Sequence, residues 1–366
     1  MATPNRILNS GRSRRRRMMT WSLVLIVACA MILPMTGYLL PESLTTVQAQ
    51  QAASDTNQRS NFWRVVREGG VGYSSVTGSD TNIETNVLYN ITGQNWRQVR
   101  NGLIGNYGGW FLFVVVVAII AFFASRGRID LDKKPSGKRV PRWTVLERTL
   151  HWYTATLFVV LAITGLSLLF GRAVLIPLLG PSGFSFWASF SINAHNTLGP
   201  FFAIGPILMF FCWLRHNIPT GTDIAWFAKG GGIVGSAHPS AGKANGGEKL
   251  WFWIVILLGL GAVCISGFAL IGWLDQYFGV ENTREMAQTM HTVHAVCALL
   301  WIAVFFGHAY IGTFGSEGSL DAMTKGHVSV EWAEQHHDLW YEDVKDTVVD
   351  AESAEGAPSR SAQMSS

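Results

Sequence analysis

The sequence contains little charge and little cysteine, and each shortage excludes a class of protein. Only 14% of its 366 residues are Asp, Glu, Lys or Arg, whereas 49% are hydrophobic and fifteen are tryptophan. A chain of this composition with several long apolar runs is typical of an integral membrane protein. The net charge of +4 is small. We expect membrane lipid around the chain and no nucleic-acid partner.

The cysteines and the glycine-rich loops exclude two further kinds of site. All four cysteines lie inside apolar runs and none belongs to a C-x-x-C pair: Cys29, Cys212, Cys264 and Cys297. They are typical of small packing residues, so any iron–sulfur cluster that serves this chain is expected on a partner. The runs 230–232 and 245–247 lack the strand-to-helix setting of a dinucleotide fingerprint, which excludes that site.

Long apolar runs predict an all-α membrane protein with several spans. Six of them are long enough to cross a bilayer, at 18–40, 107–125, 150–170, 192–214, 250–273 and 290–315. Lys and Arg flank the start of the first, third and fifth runs and the end of the second and fourth. The positive-inside rule then predicts a multi-pass protein of the bacterial inner membrane with its C-terminus in the cytoplasm.

The same runs predict how the chain is divided. Residues 1–49 join a basic start to a signal-like span, and Val47-Gln48-Ala49 is a small-residue cleavage site. We favour a cleaved signal here over a retained span. The remaining regions follow in order: an external polar segment (50–106), an extra transmembrane helix (107–125), a basic cytoplasmic linker (126–149), a four-helix core (150–315) and a cytoplasmic tail (316–366).

The last span is unusual because it carries His291, His294 and His308. An ionisable side chain at membrane depth is costly and usually serves a function. His294 and His308 are fourteen residues apart, which places them on one helix face about 21 Å apart along the axis. A neutral imidazole is a common axial ligand of haem iron. His291 lies on a neighbouring face, and we interpret it as interfacial. The alternative is that these histidines only hydrogen-bond to neighbouring helices.

Depth matching predicts a partner for each of the two aligned histidines. His195 begins the fourth span on the outside and His151 begins the third span on the cytoplasmic side. We therefore predict that His195 pairs with His294 and that His151 pairs with His308. Each pair would fill both axial positions of one haem, which favours electron transfer over oxygen binding. The other histidines are expected on the solvated surface: His216, His238, His327, His336 and His337.

Glycines inside the spans are compatible with this arrangement. They let helices approach closely, or leave room for a flat macrocycle, at Gly165, Gly199, Gly205, Gly259, Gly261 and Gly267.

Short motifs on the cytoplasmic side show a resemblance to a known family. They are Glu147-Arg148-Thr149-Leu150-His151-Trp152, Arg215-His216-Asn217-Ile218-Pro219, Asn245-Gly246-Gly247-Glu248-Lys249, Gly318-Ser319-Leu320-Asp321-Ala322-Met323, Gly326-His327-Val328-Ser329 and Trp332-Ala333-Glu334-Gln335-His336-His337. Together they resemble the cytochrome b (gamma) subunit of respiratory formate dehydrogenases, a prokaryotic cytochrome b561-like family, over roughly residues 140–342. Residues 1–139 extend beyond the short form of that family.

The resemblance implies a fold, cofactors and partners. It implies a four-helix transmembrane haem-binding bundle, here with one or two additional N-terminal spans, that holds two b haems with the pairing already given. It also implies a site for menaquinone or ubiquinone at Asn245 and Gly247, beside His308. Glu248 stands where that family is expected to have Gln, and a carboxylate there would alter quinone hydrogen bonding or proton uptake.

The function implied is an electron conduit in formate respiration. A molybdenum or tungsten catalytic (alpha) subunit would oxidise formate, and an Fe–S (beta) subunit would pass the electrons to this chain and on to quinone. No residue of this chain has the character of a formate-oxidising catalyst. The alternatives are a cytochrome b anchor of a hydrogenase or thiosulfate reductase, or a membrane anchor or transporter without haem.

Overall fold

The computed structural model describes residues 91–233 and 238–351. The predicted first span at 18–40, the signal-like segment, most of the external segment and the end of the tail lie outside the described residues. Within them, four helical segments are long and apolar enough to cross a membrane: Gly93–Arg126, Val145–His216, Gly246–Leu270 and Arg284–Gly315. The predicted all-α membrane class is confirmed.

The first described span begins earlier than its hydrophobicity predicts. Helix α1 (Ile91–Gln98), a π-helical stretch (Val99–Tyr107) and α2 (Gly108–Arg126) form one continuous rod. Residues 91–106, expected in the external polar segment, are therefore helical. The rod packs against the last span, where an added Cβ at Gly108 would lie 2.7 Å from the Leu299 side chain.

Helix α3 (Val145–Trp213) contains two of the predicted spans. It begins at a capping box in which Thr144 and Glu147 exchange hydrogen bonds. The backbone leaves the helical conformation at Gly180, where φ is +69°. Hydrogen bonds then join the two arms, 145–179 and 181–213, in antiparallel register: Glu147 with Trp213, Tyr153 with Phe201, and Thr164 with His195. The chain therefore reverses direction at Gly180.

The other two bundle spans follow a short connecting helix, α4 (Gly221–Ala228). The first consists of α5 (Gly246–Ile254), a π-helical stretch (Val255–Cys264) and α6 (Ile265–Leu270). After the short α7 (Trp273–Phe278), the last span is α8 (Arg284–Tyr310) with a π-helical end (Ile311–Gly315).

Aromatic rings fill the middle of this bundle. Trp301 is halfway between His294 and His308 on α8, and its ring centroid lies 4.8 Å from that of Phe158 and 5.6 Å from that of Phe202. An added Cβ at Gly259 would lie 2.5 Å from the Trp301 ring. Gly259 therefore supplies the space in which the indole packs.

The basic linker and the C-terminal tail fold together into one unit, which we name the cap. Strand β1 (Lys138–Pro141) lies between β2 (His327–Ser329) and β3 (Val349–Asp350), antiparallel to both. The tail adds three helices: α9 (Ser319–Thr324), α10 (Val330–His336) and α11 (Asp338–Val344). A second hydrophobic core forms here around Val140 and Val328, both 0% exposed.

One expectation about the tail is wrong. His327 and His337 were expected on the solvated surface, but they are only 8% and 1% exposed. The reason is the cap itself, because β2 and the α10–α11 junction pack against β1 instead of extending into solvent.

Candidate functional site

The structure brings four intramembrane histidines together in two pairs. The ring centroids of His195 and His294 are 6.0 Å apart, and those of His151 and His308 are 6.3 Å apart. We name them the 195/294 pair and the 151/308 pair. These are the combinations predicted from depth, and they lie toward opposite ends of α8.

The spacing of both pairs fits a shared metal ion. Two metal–nitrogen bonds of about 2 Å each, together with two ring radii, separate the centroids of opposed imidazoles by about 6 Å. The rings are tilted by 75° in the 195/294 pair and by 51° in the 151/308 pair, so neither pair is stacked. Each pair can therefore accommodate one iron between its imidazole nitrogens.

Hydroxyl groups hold both rings of the 195/294 pair. Thr164 Oγ1 lies 2.9 Å from His195 Nδ1, and Ser266 Oγ lies 3.1 Å from His294 Nδ1. His294 Nδ1 is also 2.9 Å from the carbonyl oxygen of Val263. Sequence reasoning missed these two hydroxyls, although each precedes a glycine in a membrane span.

The glycines after those hydroxyls make room for the same rings. A Cβ added at Gly165 would lie 3.1 Å from His195 Cε1, and one added at Gly267 would lie 3.3 Å from His294 Cε1. The sequence suggested helix packing or a macrocycle as the reason for these glycines. In the structure, Thr164-Gly165 and Ser266-Gly267 form matching cradles, one for each imidazole.

The 151/308 pair is held differently. Trp251, on α5, stacks on His308 with ring centroids 4.6 Å apart and planes 12° apart. His151 touches the edge of Trp152, and its Nδ1 is buried without a hydrogen-bond partner in the part of the chain that is described. Ring contacts therefore position this pair. The sequence analysis did not identify Trp251 either, because a tryptophan in an apolar run cannot be distinguished from an ordinary packing residue.

The third histidine of the last span lies outside both pairs. His291 is half-buried and meets the edge of the Trp96 ring, at 5.7 Å between centroids. Its neighbour is therefore the first described span and not another bundle histidine.

The residues predicted for a quinone site begin helix α5. Asn245 Oδ1 accepts a hydrogen bond from the Glu248 backbone N–H at 2.9 Å, and the Glu248 carboxylate accepts one from the Asn245 N–H. A Cβ on Gly247 would lie 3.0 Å from the Trp226 ring. This capping box fixes the start of α5, the helix that carries Trp251 to the 151/308 pair.

The cap contacts that capping box through a buried arginine. Arg142 is 4% exposed, and its Nη2 donates to the Glu248 carboxylate at 3.1 Å and lies 3.2 Å from His337 Nε2. His337 Nδ1 donates to the Gly242 carbonyl oxygen at 2.7 Å, because a carbonyl can only accept. A guanidinium can only donate, so Nε2 accepts from Arg142 and the ring is neutral. Burial, and next the Arg142 charge, lower the pKa of His337 well below its ordinary value.

Three indole rings surround the same guanidinium. The Arg142 Cζ atom lies 5.4, 4.9 and 5.0 Å from the ring centroids of Trp143, Trp332 and Trp340. These cation–π contacts and the Glu248 carboxylate compensate a charge that burial alone would make unfavourable.

Comparison with known proteins finds a matching family model and several similar cytochrome subunits. A family model described as prokaryotic cytochrome b561 matches residues 142–326, about half of the chain. The nitrate-inducible formate dehydrogenase cytochrome b556(Fdn) subunit of Escherichia coli K12 is 28% identical over 229 residues, which is 60% of this chain and 98% of the relative. The formate dehydrogenase cytochrome b556(fdo) subunit of the same strain is 30% identical over 210 residues, 57% of this chain and 94% of the relative. The formate dehydrogenase cytochrome b556 subunit of Haemophilus influenzae is 30% identical over 215 residues, 56% of this chain and 82% of the relative.

Proposed function

We propose that this chain, which belongs to the prokaryotic cytochrome b561 family, is the membrane cytochrome b subunit of a formate dehydrogenase. The family implies b-type haem. The observation that carries the proposal is that two histidine pairs at metal-bridging distance stand at the two ends of one span. The names of the relatives favour formate dehydrogenase over a hydrogenase or thiosulfate reductase.

His195 and His294 would hold one haem, and His151 and His308 the other. In the 195/294 pair both Nδ1 atoms are engaged by oxygens of the protein, which leaves Nε2 to face a metal. Bis-histidine ligation leaves no open coordination position, so it suits electron transfer and not oxygen binding. When bound, the two haems would supply one-electron carriers between the two sides of the membrane.

The chain's own residues set where those carriers stand. The helix rise places His294 and His308 about 21 Å apart along α8. Trp301, Phe158 and Phe202 fill the space between the pairs and exclude water from it. Fixed positions and a dry interior are what a protein contributes to cofactor redox chemistry.

Charge distribution supports an orientation in the inner membrane. The linker between the first described span and α3 is rich in Lys and Arg, which favours the cytoplasmic side for the cap. The 151/308 pair then faces the cytoplasm and the 195/294 pair faces outside. Electrons would enter from an Fe–S subunit on the outside. They would leave to menaquinone or ubiquinone near Asn245, Gly247 and His308, with formate oxidised on a molybdenum or tungsten subunit.

The test is purification of the chain with its native partners from solubilised membranes. We expect two b-type haems per chain in a reduced-minus-oxidised spectrum, reduction of both by formate, and a catalytic and an Fe–S subunit among the proteins identified by mass spectrometry. Reduction by hydrogen with no response to formate would indicate a hydrogenase anchor. A chain without a b-type spectrum would contradict the proposal.

A further inference from the structure

The two histidine pairs differ in what engages the Nδ1 atoms of their rings. In the 195/294 pair both Nδ1 atoms have oxygen partners, at 2.9 Å from Thr164 and at 2.9 and 3.1 Å from Val263 and Ser266. In the 151/308 pair the Nδ1 atom of His151 has no such partner among residues 91–233 and 238–351.

The direction of the hydrogen bonds in the 195/294 pair can be assigned. The Thr164 hydroxyl donates its hydrogen to the Val160 carbonyl oxygen at 2.9 Å, and the Ser266 hydroxyl donates to the Ala262 carbonyl oxygen at 2.6 Å. A carbonyl can only accept, so the Val263 carbonyl oxygen at 2.9 Å from His294 Nδ1 and the hydrogen bond of His195 with the Leu161 backbone both require a ring N–H. His195 and His294 are therefore both Nδ1–H donors, in the same tautomer.

A donated Nδ1–H bond changes what the opposite nitrogen does to a metal. Partial withdrawal of the Nδ1 proton makes the ring a stronger electron donor through Nε2. A stronger donor stabilises ferric iron more than ferrous iron, and this lowers the reduction potential. In the 151/308 pair, Trp251 orients His308 by stacking, and no hydrogen bond polarises the His151 Nδ1 atom among the described residues.

We infer that Thr164 and Ser266 are positioning residues that set the haem of the 195/294 pair to a lower reduction potential than the haem of the 151/308 pair. The inference deepens the proposed function and rests on it. Electrons move spontaneously toward the higher potential. The difference in Nδ1 hydrogen bonding between the two pairs therefore favours electron transfer from the outer pair to the cytoplasmic pair. This is the direction in which formate would reduce quinone.

The experiment is a redox titration of the purified complex followed in the b-type absorption bands. Thr164→Val and Ser266→Ala each remove one hydroxyl while leaving all four histidines in place. We expect each to raise the lower of the two midpoint potentials and to leave the higher one unchanged, with a larger rise in the double variant. Thr154→Val is the matched control, because the buried Thr154 hydroxyl likewise donates to the carbonyl oxygen four residues earlier, at Leu150, but has no imidazole partner among the described residues.

Three results would overturn the inference. They are equal potentials in the native protein, no shift in either hydroxyl variant, and a shift of the higher potential in place of the lower. An equal shift in Thr154→Val would mean that helix packing, and not the imidazole contact, sets the value. Failure of the proposed function would look different, because the native chain would then carry no b-type spectrum to titrate.

Discussion

The two ends of the bundle support the same kind of side chain by different means. At the 195/294 end, hydroxyls and glycines of neighbouring helices hold the rings, and these contacts lie inside the bundle. At the 151/308 end, an indole ring stacks on one histidine, and its helix starts at a capping box bonded to the cap. Within the described residues, one pair is thus held by the membrane helices, whereas the other depends on a folded unit outside them.

This difference shows how similar sites can respond to different signals. Hydrogen bonds to a ring nitrogen change its chemistry as well as its position, whereas ring stacking chiefly changes position. A disturbance of the cap should reach the 151/308 pair through Glu248, α5 and Trp251. The 195/294 pair has no described contact with the cap and should remain unchanged.

The largest effect is expected when one histidine is removed at a time. We expect His195→Ala and His294→Ala each to abolish the same b-type component, because in the proposed arrangement each pair holds one iron. His151→Ala and His308→Ala should abolish the other component. The measurement is haem per chain, with a redox titration to identify the component that remains. His291→Ala is the control and should retain both haems, since that ring meets Trp96 and neither pair. Loss of different haems within one pair would contradict the pairing.

The next test removes the arginine at the centre of the cap. Arg142→Ala removes one hydrogen-bond partner of both His337 and Glu248 and empties the space between indole rings, so we expect the free energy of unfolding of the cap to fall by about 1.5–3 kcal/mol. Hydrogen exchange of the backbone amides in β1 and β2 measures this. The 151/308 spectrum should change and the 195/294 spectrum should not.

A nearby arginine, inside strand β1, provides the control for that loss. Arg139 forms a partly exposed ion pair with Asp321, at 3.7 Å. Exposed pairs of this kind contribute about 1 kcal/mol or less, so Arg139→Ala should have a small effect. Equal effects of the two substitutions would show that the buried guanidinium has no special role in the cap.

A smaller test acts on the opposite end. Gly165→Ala places a methyl group 3.1 Å from His195 Cε1, so the ring or the helix must shift. Disturbing the support of a metal-binding histidine costs about tenfold or more in affinity, and we expect at least that loss of haem affinity at the 195/294 pair alone. Gly261→Ala is the control, because its Cβ would make only an ordinary contact with the Ile256 carbonyl oxygen, at 3.6 Å. A stronger effect on the 151/308 pair would contradict the cradle assignment.

The bundle was largely predictable from the sequence, and the cap was not. Apolar runs and the depths of four histidines depend on local composition and helix rise, which a single sequence contains. The cap depends on pairing between Arg139 and Ser329, almost two hundred residues apart, in strands of two to four residues. Strands this short have no usable periodicity, so their residues resembled a basic linker and a polar tail. The repeated hydroxyl–glycine dipeptides at 164–165 and 266–267 were a signal that could have been found.

The weakest expected effect is an acid sensitivity confined to the cap. Burial is the main reason that the pKa of His336 falls from 6.5 to about 4, and the neighbouring charges of His238 and Arg142 act in the same direction. Glu248 and Asp132 oppose them. Burial also lowers the pKa of His337. In the unfolded chain both rings titrate near pH 6.5.

Unfolding of the cap should therefore take up protons in mildly acidic solution. Stability rises with pH wherever the unfolded state binds more protons, so the cap should lose stability as the pH falls from about 6.5 toward 4. Fluorescence of Trp332 and Trp340 during denaturant unfolding at graded pH follows this, and His336→Gln should make the decline shallower. The 195/294 spectrum should stay constant over the same range, because no described residue of the cap contacts that pair. If the stability of the cap stays constant or rises on acidification, these rings accept protons in the folded state. The two ends of the bundle would then differ only in the contacts of their histidine pairs.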